Sequence, residues 1–183
     1  MEVFFMNMKN AKKELRKLCL CAMLLAMSIA IGYLCKSIFA SVNGLFRISF
    51  DTLPVIIVGI LFGPVWGGVV GACSDLLTYV ITPQSFAPIP LVTVGYAMIG
   101  IVAGVVAKFI VKKTGNLQII LAGGLGHLVG SMIFKVIGLY SIYGWAVLIR
   151  IPIYLVVGSV EVLLICLLFN NKAFRRTVEE FGI

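Results

Sequence analysis

Three groups of polar residues interrupt a strongly apolar chain, each spaced to share one side of a helix. Asp75, Thr78, Tyr79 and Thr82 stand at offsets of zero, three, four and seven. His127, Ser131 and Lys135 stand at i, i+4 and i+8. Arg150, Tyr154 and Glu161 stand at zero, four and eleven, and eleven residues come close to three full turns. An ionisable group inside an apolar span is costly, so each needs a role. In lipid such stripes must turn inward, toward one another or toward a wet cavity. One role is structural, an ion pair of Asp75 with Lys135 or Arg150. The other is recognition of a solute. His127 is open to either reading, as a hydrogen-bonded structural group or a ligand contact.

The balance of charge favours a ligand. Lys36, Arg47, Lys135 and Arg150 stand against Asp51 and Asp75, with Glu161 deeper. This cationic excess suits an anionic solute. Aromatic residues gather at the same end: Phe46, Phe50, Phe86, Tyr140, Tyr143, Trp145 and Tyr154. Part of that gathering is the aromatic belt of a membrane interface. The rest suits a flat ring held between aromatic walls.

The elements that must position these groups are membrane helices. The 183 residues are 61% apolar and 12% charged, against roughly 45–50% and about 25% in ordinary soluble domains. The expected fold is all-α, a single membrane domain over residues 1–183 with six transmembrane helices. The spans fall near 18–34, 51–62, 65–81, 91–111, 117–139 and 146–169. Gly63-Pro64 makes so tight a turn that the second and third spans form a hairpin. The second is short for a core roughly 30 Å thick, so it must tilt, break or run on into the loop. Three prolines between Thr82 and Pro90 rule out a regular helix there.

Eleven of the fifteen lysines and arginines orient the chain. Residues 1–17 carry Lys9, Lys12, Lys13, Arg16 and Lys17; the fourth-to-fifth connection carries Lys108, Lys112 and Lys113; the C-terminus carries Lys172, Arg175 and Arg176. The positive-inside rule assigns this face, and with it both termini, to the cytoplasm. The polar stripes then point to a pocket in the extracellular half. Small residues recur every four positions: Ala22, Ala26 and Ala30; Gly63, Gly67 and Gly71; Gly126 and Gly130. Such stripes let helices approach closely in lipid. The glycines read as packing within the chain, the alanines equally as a docking face for a partner helix.

Several other classes lose support. The formal charge of +8 flanks apolar spans, so it is a topology signal and not a nucleic-acid footprint. The five cysteines read as small apolar side chains, without histidines to complete a metal set. No metal or other cofactor is expected. No P-loop pattern occurs. Lys113-Thr114-Gly115 lacks the companion motifs of a penicillin-binding protein. The glycines of 123–130 lack dinucleotide spacing, and no paired-carboxylate or Ser-His-Asp site is visible. The first 35 residues imitate a signal peptide, but with five more spans behind them they read as an uncleaved helix.

The stretch Arg47-Ile48-Ser49-Phe50, then Leu53-Pro54, Gly59-Ile60-Leu61-Phe62-Gly63-Pro64, Gly67 to Gly71 and Asp75-Leu76 resembles the folate family of S components. These are the substrate-binding subunits of energy-coupling factor (ECF) vitamin transporters. The likeness runs from about Ala22 to Phe169 and takes in Arg150 and Glu161. One segment departs from it. Phe86-Ala87-Pro88-Ile89-Pro90 stands where relatives carry aromatic-Pro-Gly-aromatic, in a loop expected to touch the substrate.

The resemblance implies a binding subunit in a bacterial plasma membrane, not an enzyme. It implies six helices, a pocket open to the outside, and partners comprising a transmembrane scaffold subunit and two ATPase subunits. It further implies that the subunit topples in the membrane to carry its occupied pocket inward, and that Ala22, Ala26 and Ala30 help contact the scaffold. Folate joins a flat pterin, a benzoyl ring and a glutamate with two carboxylates. The expected cations for the carboxylates are Arg150, Lys135 and Arg47. Asp75, then Glu161, is expected at the pterin's amino-pyrimidinone edge. Phe50, Phe86, Tyr96 and Tyr154 are candidate ring walls, with His127 beside them, and Ser49, Gln84 and Ser85 are loop contacts. Competing readings are an S component for riboflavin or thiamine, and a proton-coupled secondary transporter using Asp75, His127 and Glu161. A membrane enzyme or assembly factor is a third.

Overall fold

The computed structural model describes residues 2–39, 48–81, 89–111, 115–172, 174 and 176. Among them all regular structure is helical. Helix α1 spans Glu2–Phe39, α2 Thr52–Phe62, α3 Pro64–Ile81 and α4 Pro90–Val105, the last running on into a π-helical turn, Val106–Ile110. Helix α5, Asn116–His127, passes through a π-helical segment, Leu128–Lys135, into α6, Val136–Tyr143. A 3-10 turn, Gly144–Ile149, leads to α7, Arg150–Asn170. These bounds follow the expected spans closely. The first helix is longer than expected and takes in Lys36.

Among the described residues four helical stretches are long and apolar enough to cross a membrane: 14–38, 64–81, 90–110 and 116–170. The last is two legs. Gly144 takes φ +54°, which a residue with a Cβ rarely adopts, and the chain reverses there. Helix α7 returns antiparallel to α5, so Gly123 meets Val162 and His127 meets Gly158 and Glu161. The other positive φ, +94° at Gly63, turns α2 into α3, with Pro64 as the first residue of α3.

The shortness of α2 has a simple resolution. Its 11 residues rise only about 16 Å. It is enclosed by protein, with Val55, Ile56, Ile57 and Val58 all buried. It packs against α1, α3, α4, α5 and α7.

Helix α4 lies between α3 and the α5 leg. Both contacts are made through glycine. A Cβ on Gly67 would fall 2.5 Å from the Gly100 carbonyl oxygen, and one on Gly126 would fall 2.8 Å from that of Ile99. Gly71 abuts the Tyr96 carbonyl and Gly130 that of Gly95. The glycine stripes are therefore intramolecular seams. The alanine stripe differs: Ala22, Ala26 and Ala30 are all exposed, while the opposite side of α1 buries Cys21, Ser28 and Gly32 against α2 and α3.

Gly67→Ala is expected to cost about 1–3 kcal/mol through overpacking against a backbone that cannot yield. Gly124, with nothing within 4 Å of a Cβ, is the control. Thermal unfolding in detergent should show a lowered midpoint for Gly67→Ala and none for Gly124→Ala.

Candidate functional site

Three carboxylates in the bundle have separate surroundings. Asp51 precedes α2 but makes no capping bond to that helix. Its backbone oxygen accepts from Ser28 Oγ of α1 (2.5 Å), and its Oδ2 accepts from the Tyr96 hydroxyl of α4 (2.7 Å). Gly32 of α1 packs beside Asp51 and Thr78. Glu161 is wholly buried. Its Oε1 accepts from Thr52 Oγ1 (2.6 Å), and its Oε2 lies 3.0 Å from His127 Nδ1. This cluster ties α2 to α7 and α5. Asp75 accepts from Thr93 Oγ1 at 2.6 Å, tying α3 to α4. Among the described residues Asp75 pairs with neither Lys135 nor Arg150.

Beside Asp51 lies a small cleft of about 50 Å³. It is lined by Ser49, Asp51, Thr52, Val92, Tyr96, His127, Ser131, Lys135, Leu139, Arg150, Tyr154 and Val157. The starts of α2, α4 and α7 supply part of the wall, and the later half of the α5–α6 leg supplies the rest. The cleft therefore opens at the end of the bundle opposite the Gly63-Pro64 turn, where Lys108 lies.

The π-helical segment aligns the second stripe. In an α-helix each four-residue step advances the direction by about 40°, so Lys135 would drift well away from His127. The wider π turn, closed by i→i+5 bonds, takes up much of that drift. His127, Ser131 and Lys135 consequently all reach the one cleft.

Its cations rest on aromatic faces. Lys135 Nζ stands 3.4 Å from the centroid of Tyr96, and the Arg150 guanidinium carbon 4.8 Å from that of Tyr143. The His127 and Tyr154 rings meet edge to face at 6.5 Å. Ser49 Oγ, Ser131 Oγ and His127 Nε2 are buried without hydrogen-bond partners among the described residues. Buried polar atoms without partners suit a site that completes them with a solute. The arrangement presents positive charge and aromatic faces side by side. Among the described residues no three His, Cys, Asp or Glu side chains form a metal-holding group.

Of the expected site residues, Arg150, Lys135, His127, Tyr96, Tyr154 and Ser49 meet in the cleft. Glu161 lies beneath it, one contact away through Thr52 and His127. Asp75 and the partly buried Phe50 are not in the lining. Arg47, Gln84, Ser85 and Phe86 lie outside the described residues. Asp51, Thr52 and Tyr143 were not singled out as contacts. Asp51 had a sequence signal as the acid directly before an apolar helix. Ser131 was on the stripe but passed over.

Fold and site together define an apolar helical protein with a polar cleft at one end of its bundle. Residues 16–171 match the family described as "ECF transporter, substrate-specific component", and the chain belongs to that family. The family is a transporter component, not an enzyme, which disposes of the enzyme reading. A curated relative, "Folate transporter FolT" of Clostridium novyi (strain NT), is 34% identical over 101 residues, 55% of this chain and 57% of the relative. That match thus spans little more than half the relative's length. Among solved structures, "Crystal structure of FolT bound with folic acid" aligns with a TM-score of 0.62 at 22% identity, over 80% of this chain and 87% of that one. At this identity the likeness establishes a shared fold.

Thr52→Val keeps the side-chain shape and removes the donor to Glu161. Leaving that buried acceptor unsatisfied should cost about 1–3 kcal/mol of stability. Unfolding in detergent is the measurement, and an unshifted midpoint would mean the carboxylate does not depend on Thr52.

Proposed function

We propose that this protein binds folate, or a closely related pterin, with high affinity from outside the cell and delivers it to an ATP-driven ECF module. The observation that carries the reading is a single cleft combining two cations, tyrosine faces and a buried carboxylate. It is supported by the FolT relative and by the fold shared with a FolT that holds folic acid. Arg150 offers paired donors to a glutamyl carboxylate and Lys135 a compact charge. Asp51, which lines the cleft, takes the pterin's amino-pyrimidinone edge in place of Asp75. His127 and Ser131 add neutral contacts, and Tyr96 and Tyr154 flank the ring. The two cations argue against thiamine, itself a cation.

In this reading the chain crosses a bacterial plasma membrane six times, counting α2. The basic residues hold both termini in the cytoplasm. Lys108 then marks the inner end of the bundle, and the cleft opens outward. The exposed stripe of Ala22, Ala26 and Ala30 is the docking face for the scaffold subunit, which works with two ATPases. Membership of the family weighs against a stand-alone proton-coupled carrier.

Purified protein should carry a pterin-type absorbance or bind added folic acid. Arg150→Ala, correctly inserted, should weaken folic acid binding by roughly tenfold or more, the size of a lost charge-assisted contact. A co-purifying flavin, or no folic acid binding on titration, would overturn the assignment. Ala26→Leu is expected to abolish co-purification with the scaffold subunit while leaving folic acid affinity within twofold. Retained co-purification would remove the alanine stripe from the docking face.

A further inference from the structure

On the outer side of α3 and α4 lies a second groove, wholly apolar, of about 410 Å³. Pro64, Val65, Gly68, Val69 and Ala72 of α3 line it, with Ile101 of α4. Gly68 forms its floor. A Cβ there would fall 2.7 Å from Ile101 Cγ1, so the isoleucine lies across bare backbone. Val65 and Val69 stand exposed along the rim. From Pro64 to Ala72 the helix rises about 12 Å, close to the depth of one hydrocarbon leaflet, about 15 Å. The Pro64 end of the groove adjoins a cation. Lys108 Nζ lies 3.5 Å from where a Cβ on Gly63 would stand, one residue before Pro64. Lys108 is exposed and makes no hydrogen bond or ion pair among the described residues. The C-terminal carbonyls of α2 attract it to the turn but supply no full negative charge.

We propose that this groove holds one acyl chain of an anionic phospholipid, with the headgroup phosphate on Lys108. The inference is independent of what fills the cleft. Its occupant follows from two features together: the groove is as long as a leaflet is deep, and its charge lies at one end, where a headgroup would be. In a bilayer, apolar burial alone favours no particular occupant, because every lipid tail is equally apolar. The groove therefore fixes where a chain lies, by van der Waals fit over Gly68, and not which lipid supplies it. That choice falls to Lys108. A zwitterionic headgroup brings its own ammonium beside the phosphate and gains little from the lysine. An anionic headgroup offers its charge unopposed. Shape thus comes from the α3–α4 surface and selectivity from a single side chain beside the Gly63-Pro64 turn.

The test is lipid retention by the full-length protein in detergent, read by native mass spectrometry with phosphatidylglycerol or phosphatidylcholine added. Wild type should hold one phosphatidylglycerol roughly fivefold more strongly than phosphatidylcholine, the scale of one lysine at an anionic surface. Lys108→Gln should erase that preference and leave phosphatidylcholine retention unchanged. Arg16→Gln removes another exposed cation, on α1, and should leave the preference intact. Ala72→Leu fills the groove and should lower retention of both lipids together. If its unfolding midpoint shows that it does not fold, Val69→Trp, on the exposed rim, carries the same comparison. No retained lipid, equal retention of the two, or an equal loss of preference in Arg16→Gln overturns the proposal. Unchanged lipid retention in the groove variants, with loss of co-purification with the scaffold subunit, also overturns it and gives the groove to a protein partner.

Discussion

The backbone of α4 touches glycines on both sides, and the bundle is organised by that contact. Lipid tails are as apolar as leucine, so helices in a membrane gain little by burying apolar surface against each other. Close van der Waals approach is what remains. Gly67 and Gly71 of α3 meet α4 on one side, and Gly126 and Gly130 of the α5 leg meet it on the other. Because the seams are backbone to backbone, they set register as well as distance. Tyr96 and Val92 are presented to the cleft from the helix so held, and Lys135 from the leg pressed against it.

In lipid a buried polar group away from the cleft has to find its partner within the protein. The pairs that result are also the ties between helices. Thr52, Glu161 and His127 join α2, α7 and α5, while Ser28 joins α1 to Asp51 and Ser74. Helix α1 is the least enclosed of the set. Among the described residues it packs mainly against α2 and α3 and leaves its alanine face outside. The same helix thus leaves its alanine face outside the bundle and turns a hydroxyl inward on the cleft carboxylate's own residue.

Most of the architecture was legible because its signals are local. Apolar runs, the Gly63-Pro64 turn and the prolines before α4 mark boundaries without reference to any distant residue. The glycine and alanine stripes were equally legible as surfaces for close approach, but not as to what they approach. In the candidate site, stripes at helical spacing correctly gathered His127, Ser131 and Lys135, and Arg150 with Tyr154. The π-helical segment that aligns the first group has no sequence mark of its own.

The sequence by itself determined that this is a polytopic helical protein, which ends of its spans carry polar stripes, and that cations outnumber carboxylates around them. These follow from composition and period, which depend on nothing beyond the residue and its neighbours along the chain. Only the tertiary structure decided which carboxylate serves the cleft. Asp75 sits on a convincing stripe, yet α3 packs so that Thr93 takes its charge into the helix seam. Asp51 sits on no stripe at all, and comes to line the cleft because Ser28 and Tyr96, from two other helices, hold its backbone and its carboxylate in place. A side chain's partner across a helix interface is set by rotation and register between helices. Those are properties of the packed bundle and of no single span.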